Sequence, residues 1–317
     1  MTSSFSACLL FAACQPSPTS TTEEAPPPWR WSEDQIKQQV SKVRAGRDLQ
    51  PDEWPNGARV AVLLSFDVDN ETVWLRDGDT SIGGLSQGEY GGRAALPRVV
   101  GLLDAKQIPA SFFIPAVSLM LKPEMAQVIQ RSGRHEFAVH GWIHERNNQL
   151  SGEDERQLLA KALDKLTELT GTRPVGYRAP SWNFGPQTLD NIRELGFLYD
   201  SSLMADDRPY EILADGRPTG LVELPVDWIL DDAPLLNPLG NRYSPPREVL
   251  QVYIDEFDRA YREGTMLLLT MHPHYIGHRS RILILEKLIE HIESKDGVWF
   301  ATHREAAEYV RQQAGLN

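Results

Sequence analysis

The side chains with the clearest chemical potential in this sequence are two carboxylates and two histidines at short spacings. Asp67 and Asp69 lie two residues apart after an apolar run, and His140 and His144 lie four residues apart. The His-x-x-x-His spacing can bring two imidazoles to one ion, and one carboxylate beside them leaves coordination positions for water and substrate. Open coordination of this kind is typical of a catalytic metal site, so Asp69, His140 and His144 are the predicted ligands.

Three further side chains could act beside such a site. In an extended strand Asp67 would point to the same side as Asp69. It is either a second carboxylate on the metal or a base next to it, and the spacing leaves both open. His272 follows an apolar run and is the expected acid–base partner. Arg178 is expected to pair with one of the carboxylates, which would fix its orientation and lower its pKa.

These residues all follow strand candidates, which alternate with helical patterns. The strand candidates cover residues 59–66, 110–114, 135–139, 175–178, 197–200, 222–226, 265–271 and 298–301. The helix candidates cover residues 32–45, 93–106, 122–132, 152–170, 186–195, 246–263, 280–295 and 303–314. The runs 59–66 and 265–271 are apolar almost throughout, which is typical of parallel strands covered on both faces.

Repeated strand–helix units predict an α/β fold with a parallel sheet. Seven or eight units in this length favour a closed or nearly closed (β/α) barrel, and a doubly wound open sheet is the alternative. In a barrel, the carboxyl ends of the strands carry the active site. Two insertions at that end, residues 70–92 and 227–245, are expected to be long functional loops.

Composition narrows the chemistry. The 317 residues carry 32 Lys and Arg against 44 Asp and Glu, a net charge of −12. Such a surface repels phosphate backbones, so no nucleic-acid partner is expected. The two cysteines, Cys8 and Cys14, both lie near the N-terminus. Thiolate chemistry in the remainder of the chain is thereby excluded, and any metal there must be bound by nitrogen and oxygen.

Five motifs occur in the order in which the polysaccharide deacetylase superfamily (carbohydrate esterase family 4, NodB-homology domain) has them, and the chain resembles that family. They are Asp67-x-Asp69, His140-x-x-x-His144, Arg178-x-Pro180, Asp227-Trp228 and the apolar strand that ends at His272. Longer segments, among them His272-Pro-His-Tyr-Ile-Gly, resemble the branch of peptidoglycan deacetylases, cyclic imide hydrolases and metal-independent allantoinases. The hydroxyl residue that commonly follows the first motif histidine is absent, and His278 stands where the branch often has Arg.

The resemblance implies a distorted (β/α) barrel and a role for each candidate. A divalent ion, zinc in most members and Co²⁺, Mn²⁺ or Fe²⁺ in others, would be held by Asp69, His140 and His144. The implied catalytic residues are Asp67 as base, His272 as acid and Arg178 as the residue that orients the base. The predicted substrate-binding residues are Trp182, Trp228, Asp200 and His274. A homo-oligomer is also implied.

The expected function is metal-dependent hydrolysis of a non-peptide C–N bond. N-deacetylation of an N-acetylated glycan such as peptidoglycan is the first expectation, and hydrolysis of a small cyclic amide (an imide or ureide) is the alternative. A catalytically silent glycan-binding protein and a non-haem iron oxygenase with two His and one carboxylate are the remaining candidates.

The N-terminal segment indicates export. Residues 1–14 resemble a lipoprotein signal that ends at a lipidated Cys14, although no basic residue opens it. Residues 15–31 are rich in Pro, Ser and Thr, as a tether would be. An N-terminal helical extension is predicted over 32–57, before a catalytic domain over 58–314. The expected location is periplasmic or membrane-anchored, with a cytoplasmic protein as the alternative.

Overall fold

The computed structural model describes residues 26–237 and 243–316. The chain divides into two compact units, residues 1–39 and residues 40–317. The predicted signal, Cys14 and the tether up to residue 25 lie outside the described residues. Among the residues described, no helix combines the length and the apolar character needed to cross a bilayer.

In the described part of the chain, ten strands form one sheet. They are β1 (Val43–Asp48), β2 (Val60–Asp67), β3 (Ser111–Ile114), β4 (Glu136–Val139), β5 (Gly176–Tyr177), β6 (Tyr199–Asp200), β7 (Tyr210–Ala214), β8 (Arg217–Glu223), β9 (Met266–Met271) and β10 (Val298–Ala301).

Helices connect and cover these strands. They are α1 (Glu33–Ser41), α2 (Thr72–Leu75), α3 (Ile82–Tyr90), α4 (Leu96–Lys106), α5 (Ala116–Leu121), α6 (Glu124–Gln130), α7 (Gly152–Thr170), α8 (Thr188–Glu194), α9 (Asp232–Leu236), α10 (Pro246–Glu263), α11 (Pro273–Ile276), α12 (Ile282–Glu293) and α13 (His303–Ala314). A π-helical turn, Gly91–Ala95, joins α3 to α4.

The predicted α/β barrel architecture is confirmed. Eight strands pair in parallel in the order β9–β2–β3–β4–β5–β6–β8, with β10 sharing an edge of β2 with β3. Every residue of β2 and of β9 is buried, as their apolar sequences require. Asp231, downstream of β8, bridges Thr270 of β9, so the sheet curls round towards closure. The carboxyl ends of the parallel strands therefore meet around one opening.

The region outside the parallel strands differs from the prediction. The helix expected over 32–45 ends at Ser41, and the next residues form β1, which pairs antiparallel with β7. The extension predicted as helical over 32–57 thus contains a strand. Its sequence, Val-Arg-Ala-Gly-Arg-Asp, has no period-two apolar pattern because most of its residues are exposed. The insertions expected as loops also carry helices, α2 and α3 in the first and α9 in the second.

Helix ends were predictable where capping residues mark them. The helix expected over 152–170 is α7, which begins after Ser151, whose hydroxyl accepts from Asp154 N, and ends before Gly171 in the left-handed conformation. The helix expected over 246–263 is α10, which ends before Gly264 in the same conformation. These long helices shield the apolar sheet, so the strand ends that carry polar residues are held on a rigid frame.

Candidate active site

The predicted chemical residues converge at the carboxyl ends of four parallel strands. Asp67 is the last residue of β2, His140 follows β4 directly, Arg178 follows β5 and His272 follows β9. A cavity of about 210 Å³ opens there. Its lining includes Asp67, Asp69, His140, His144, His272, Trp182 and Trp228. The topology therefore brings together residues up to 205 positions apart in the chain.

Asp69, His140 and His144 form a group that could hold a metal ion. Their ligand atoms all lie within 4.8 Å of one another, and all three residues are buried. Nε2 of His140 is 3.6 Å from Oδ1 of Asp69, and Nε2 of His144 is 3.5 Å from Oδ2. Within the described residues, Oδ1 of Asp69 is buried without a hydrogen-bond donor. Because a buried unpaired carboxylate oxygen is costly, this donor set fits a bound cation.

Neighbouring groups orient the two histidines. Nδ1 of His140 donates to the Arg178 carbonyl at 2.8 Å, which directs Nε2 at the carboxylates. His144 reaches the site from a backbone in the left-handed region, at φ 63°. Its Nδ1 lies against Nη1 of Arg76, which donates to Ser181 Oγ at 2.9 Å. Arg76 was missed by sequence reasoning because it lies in the insertion that was expected to be a loop.

Asp67 is held by Arg178. Nη1 of Arg178 donates to Oδ1 of Asp67 at 2.7 Å, and the Arg178 side chain is fully buried. Burial acts to raise the pKa of Asp67, but Arg178, with His140 and His272, outweighs it and lowers that pKa. Oδ2 lies 3.6 Å from Nε2 of His140 and faces the same cluster as Asp69. The pairing expected for Arg178 is thus present, and Asp67 is a carboxylate with one oxygen fixed and one directed at the cavity.

His272 lies against two consecutive aspartates. Its Nδ1 donates to Oδ1 of Asp232 at 2.7 Å, and Oδ1 of Asp231 is 3.5 Å away. Burial acts to lower the pKa of His272, but Asp231 and Asp232 raise it well above its ordinary value. Burial also raises the pKa of Asp231 to about 7. The two aspartates favour the protonated form of His272, and its Nε2 faces Asp69 at 3.6 Å.

Sequence reasoning did not assign this pair of aspartates. The Asp-Trp motif drew attention to Asp227, but Asp227 is exposed and its carboxylate accepts from Ile229 N at 2.8 Å within a local turn. Asp231 and Asp232 lie in the same insertion, and the sequence pattern assigned no role to them. The signal available in the sequence was the pair of consecutive carboxylates after β8. In the structure this pair lies at the edge of the sheet, where β9 ends.

The predicted substrate-binding residues divide into two groups. Trp182 and Trp228 line the cavity as expected, with ring centroids 4.2 Å apart, and Trp228 is 48% exposed. His274 also lines it, but both ring nitrogens are buried and have no hydrogen-bond partner among the described residues. Asp200 is absent from the cavity lining and fully buried. Its carboxylate accepts from Ser202 N and Oγ, so its expected contact with substrate is not supported.

Replacement of Asp232 by Asn is expected to lower kcat about 10–100-fold, as does the loss of partners that orient catalytic and ligating histidines. The amide keeps the volume but removes the charge that holds His272 protonated and can present its NH₂ to Nδ1. Steady-state kinetics with Asp227→Asn as the matched control measures the effect. Equal activities of the two variants would contradict the assignment of Asp232 to His272.

Known proteins are similar to this chain in sequence and in fold. Residues 84–199 match the family described as Polysaccharide deacetylase. Over 280 residues the chain is 32% identical to the peptidoglycan deacetylase of Helicobacter pylori, covering 78% of this chain and 95% of that protein.

Solved structures agree. The crystal structure of a Mycobacterium smegmatis protein, described as a polysaccharide deacetylase, is similar to this structure with a TM-score of 0.79 and 35% sequence identity. The similarity covers 86% of this chain and 96% of the M. smegmatis chain. Puue allantoinase has a TM-score of 0.75 and 26% identity, covering 84% and 94% of the two chains. The two structural similarities each cover more than four fifths of this chain.

Proposed function

The chain belongs to the polysaccharide deacetylase family, and on that premise we propose that it removes the acetyl group from N-acetylated sugars of a glycan such as peptidoglycan. The observation that carries this proposal is the cavity in which an Arg-bound carboxylate, Asp67, and an Asp-bound histidine, His272, face one Asp-His-His group. A base and an acid on either side of a metal-binding group are the parts that hydrolysis of a C–N bond requires.

The ion proposed for Asp69, His140 and His144 is Zn²⁺, with Co²⁺, Mn²⁺ or Fe²⁺ as alternatives. Two imidazole nitrogens and one carboxylate oxygen form a donor set that zinc accepts in catalytic sites. When bound, such an ion supplies a positive charge that polarises an acyl carbonyl and makes a neighbouring water more acidic.

In the proposed reaction, Asp67 accepts a proton and His272 donates one. Asp67 is ionised and held at Oδ1 by Arg178, so Oδ2 is free to accept the proton of the attacking water. His272 is protonated and presents Nε2 to the cavity, so it can donate to the leaving nitrogen. An amine anion is a very poor leaving group, so this proton transfer contributes roughly 10²–10⁴-fold. Asp232 accepts from Nδ1 of His272 and so holds the ring in the orientation that the transfer requires.

Two observations bear on the substrate. The half-exposed ring of Trp228, beside Trp182 at the cavity, offers an aromatic face to a sugar ring. This, with the similarity to a peptidoglycan deacetylase, supports the glycan. The similarity to an allantoinase supports a second candidate, hydrolysis of a small cyclic amide with the same acid and base.

A substrate panel distinguishes the candidates. Full-length protein loaded with Zn²⁺ would be assayed against peptidoglycan, N-acetylglucosamine oligomers, cyclic imides and allantoin. Release of acetate from the glycans is the expected result. Ring opening without acetate release would favour the cyclic amide instead. Glycan binding without hydrolysis of any C–N bond, in metal-loaded protein, would favour a catalytically silent binding protein.

We also propose that the protein is exported and anchored through a lipid on Cys14, with the Pro-rich segment as tether. The support is the sequence pattern of residues 1–31, most of which lie outside the described residues. In cell fractionation, the wild type is expected in the membrane fraction and Cys14→Ser in a soluble fraction. Cytosolic protein in both cases would contradict export.

A homo-oligomer is proposed on the family resemblance, and light scattering of purified protein tests it.

A further inference from the structure

Arg178 is held by a complete set of hydrogen bonds deep in the barrel. Nε donates to the Ser201 carbonyl at 2.9 Å, and Nη1 donates to Ser65 Oγ at 3.0 Å and to Asp67. Nη2 donates to Ser201 Oγ at 3.0 Å and meets Nε2 of His303 at 3.3 Å. A guanidinium has five N–H groups, and here each has an acceptor. Ser65, Ser201 and His303 have no part in the catalytic scheme above, and His303 is the one of the three that can change its protonation state.

The chemistry of Arg178 fixes the protonation state of His303. A guanidinium can only donate, so Nε2 of His303 must be unprotonated. The imidazole is fully buried, and burial together with Arg178 lowers its pKa well below the ordinary value, so it is neutral. Its one proton is therefore on Nδ1.

The next contacts in the barrel accommodate that proton. Nδ1 of His303 lies 3.1 Å from Ser111 Oγ, which can accept it because the Ser111 hydroxyl donates onward to Oε2 of Glu136 at 2.7 Å. The His303 backbone N–H donates to the same Ser111 oxygen at 2.8 Å. The series of hydrogen bonds is therefore consistent: Arg178 donates to His303, His303 donates to Ser111, and Ser111 donates to Glu136. His303 is the first residue of α13, whose start is fixed by the capping box of Thr302 and Glu305.

The consequence for Asp67 follows from the position of the guanidinium. The plane of the Arg178 guanidinium lies over the ring of Phe113, with Cζ 3.8 Å from the ring centroid. The hydrogen bonds at the edge of the guanidinium therefore determine how the group is rotated within that plane. Without His303, one N–H of Nη2 would be buried and unpaired, which favours a shift of the group. Any such shift moves Nη1, and with it the oxygen of Asp67 that Nη1 holds.

We propose that His303 is a positioning residue that, as the Nδ1-protonated neutral imidazole, fixes Arg178 and through it the catalytic orientation of Asp67. The proposal rests on the proposed function in one respect, that Asp67 is the base. His303 is absent from the lining of the cavity, so its influence on the reaction passes through Arg178.

Two amide variants separate this role from simple filling of space. In His303→Gln the side-chain oxygen can reach the Nε2 position and accept from Arg178. In His303→Asn the amide reaches only the Nδ1 position, near Ser111. We expect His303→Gln to keep kcat within a few-fold of wild type and His303→Asn to lose roughly tenfold or more. KM and metal content should be unchanged in both. Equal losses of kcat in the two variants, or a larger loss of kcat in His303→Gln, would overturn the proposal.

A second variant and a spectroscopic readout complete the test. Ser111→Ala removes the acceptor of the Nδ1 proton and is expected to lower kcat without raising KM, which decides the matter should His303→Asn not fold. Nitrogen-15 NMR of histidine-labelled wild type, with His303→Gln for assignment, should show Nδ1 protonated and Nε2 unprotonated. The opposite tautomer would refute the proposal even if no substrate is found, whereas a failure of the proposed function leaves this signal unchanged.

Discussion

Replacement of Asp67 by Asn is expected to reduce kcat by roughly 10²–10⁴-fold, the range of a lost general base. The amide has the same shape and its oxygen can still accept from Arg178, so the cavity should persist. It cannot take a proton from water at neutral pH, because an amide has no basic oxygen comparable to a carboxylate. Steady-state kinetics on the substrate found in the panel measures the effect.

Metal content of the same variant decides between the two roles that the sequence left open for Asp67. Retention of one equivalent of metal with lost turnover supports the base, whereas loss of the metal would indicate a second carboxylate ligand. Asp227→Asn is a suitable control because its carboxylate serves only a local turn. Full activity of Asp67→Asn would remove Asp67 from the mechanism. Its melting temperature should also be recorded, because Arg178 then lacks its buried counter-charge.

Replacement of His140 by Ala is expected to abolish both metal binding and turnover. The change removes one of two imidazole ligands and leaves Asp69 and His144, which cannot complete the donor set. Elemental analysis should show about one equivalent of metal in the wild type and little in the variant. Chelation should inactivate the wild type reversibly, while added Zn²⁺ should not restore His140→Ala.

His291→Ala is the matched control for this second prediction. His291 pairs with Asp258 at 2.8 Å, on helices α12 and α10 and outside the cavity. Its loss should change neither metal content nor kcat. A His140→Ala protein that kept its metal would show that the ligands have been misassigned, and one that kept its turnover would exclude a metal-dependent reaction.

Local rules predicted much of this fold. The two longest apolar strands, β2 and β9, and the capped helices α7 and α10 were found within a residue of their ends, because burial on both faces and capping leave direct marks in the sequence. β1 was missed because a polar strand on the outside of a sheet leaves no such mark.

The site was predicted less evenly. A position after a strand places a residue at the right end of the sheet, but does not say whether its side chain turns to the cavity or to the interior. Asp67 and Asp200 both end strands, yet Asp200 bonds to Ser202 inside the barrel. The contact between Asp232 and His272 joins residues 40 positions apart through the closure of the sheet. Only the tertiary structure supplies that pairing, and the same holds for Arg178 and His303.

The pairing of β2 also sets the order in which this protein can mature. Its neighbours are β3, about 50 residues later, and β9 and β10, more than 200 residues later. Contacts so distant in sequence form late, because the loop between them must close first. During synthesis the innermost strand therefore lacks two of its three partner strands until most of the polypeptide has been made, and His272, which follows β9, is among the last residues to join the pocket.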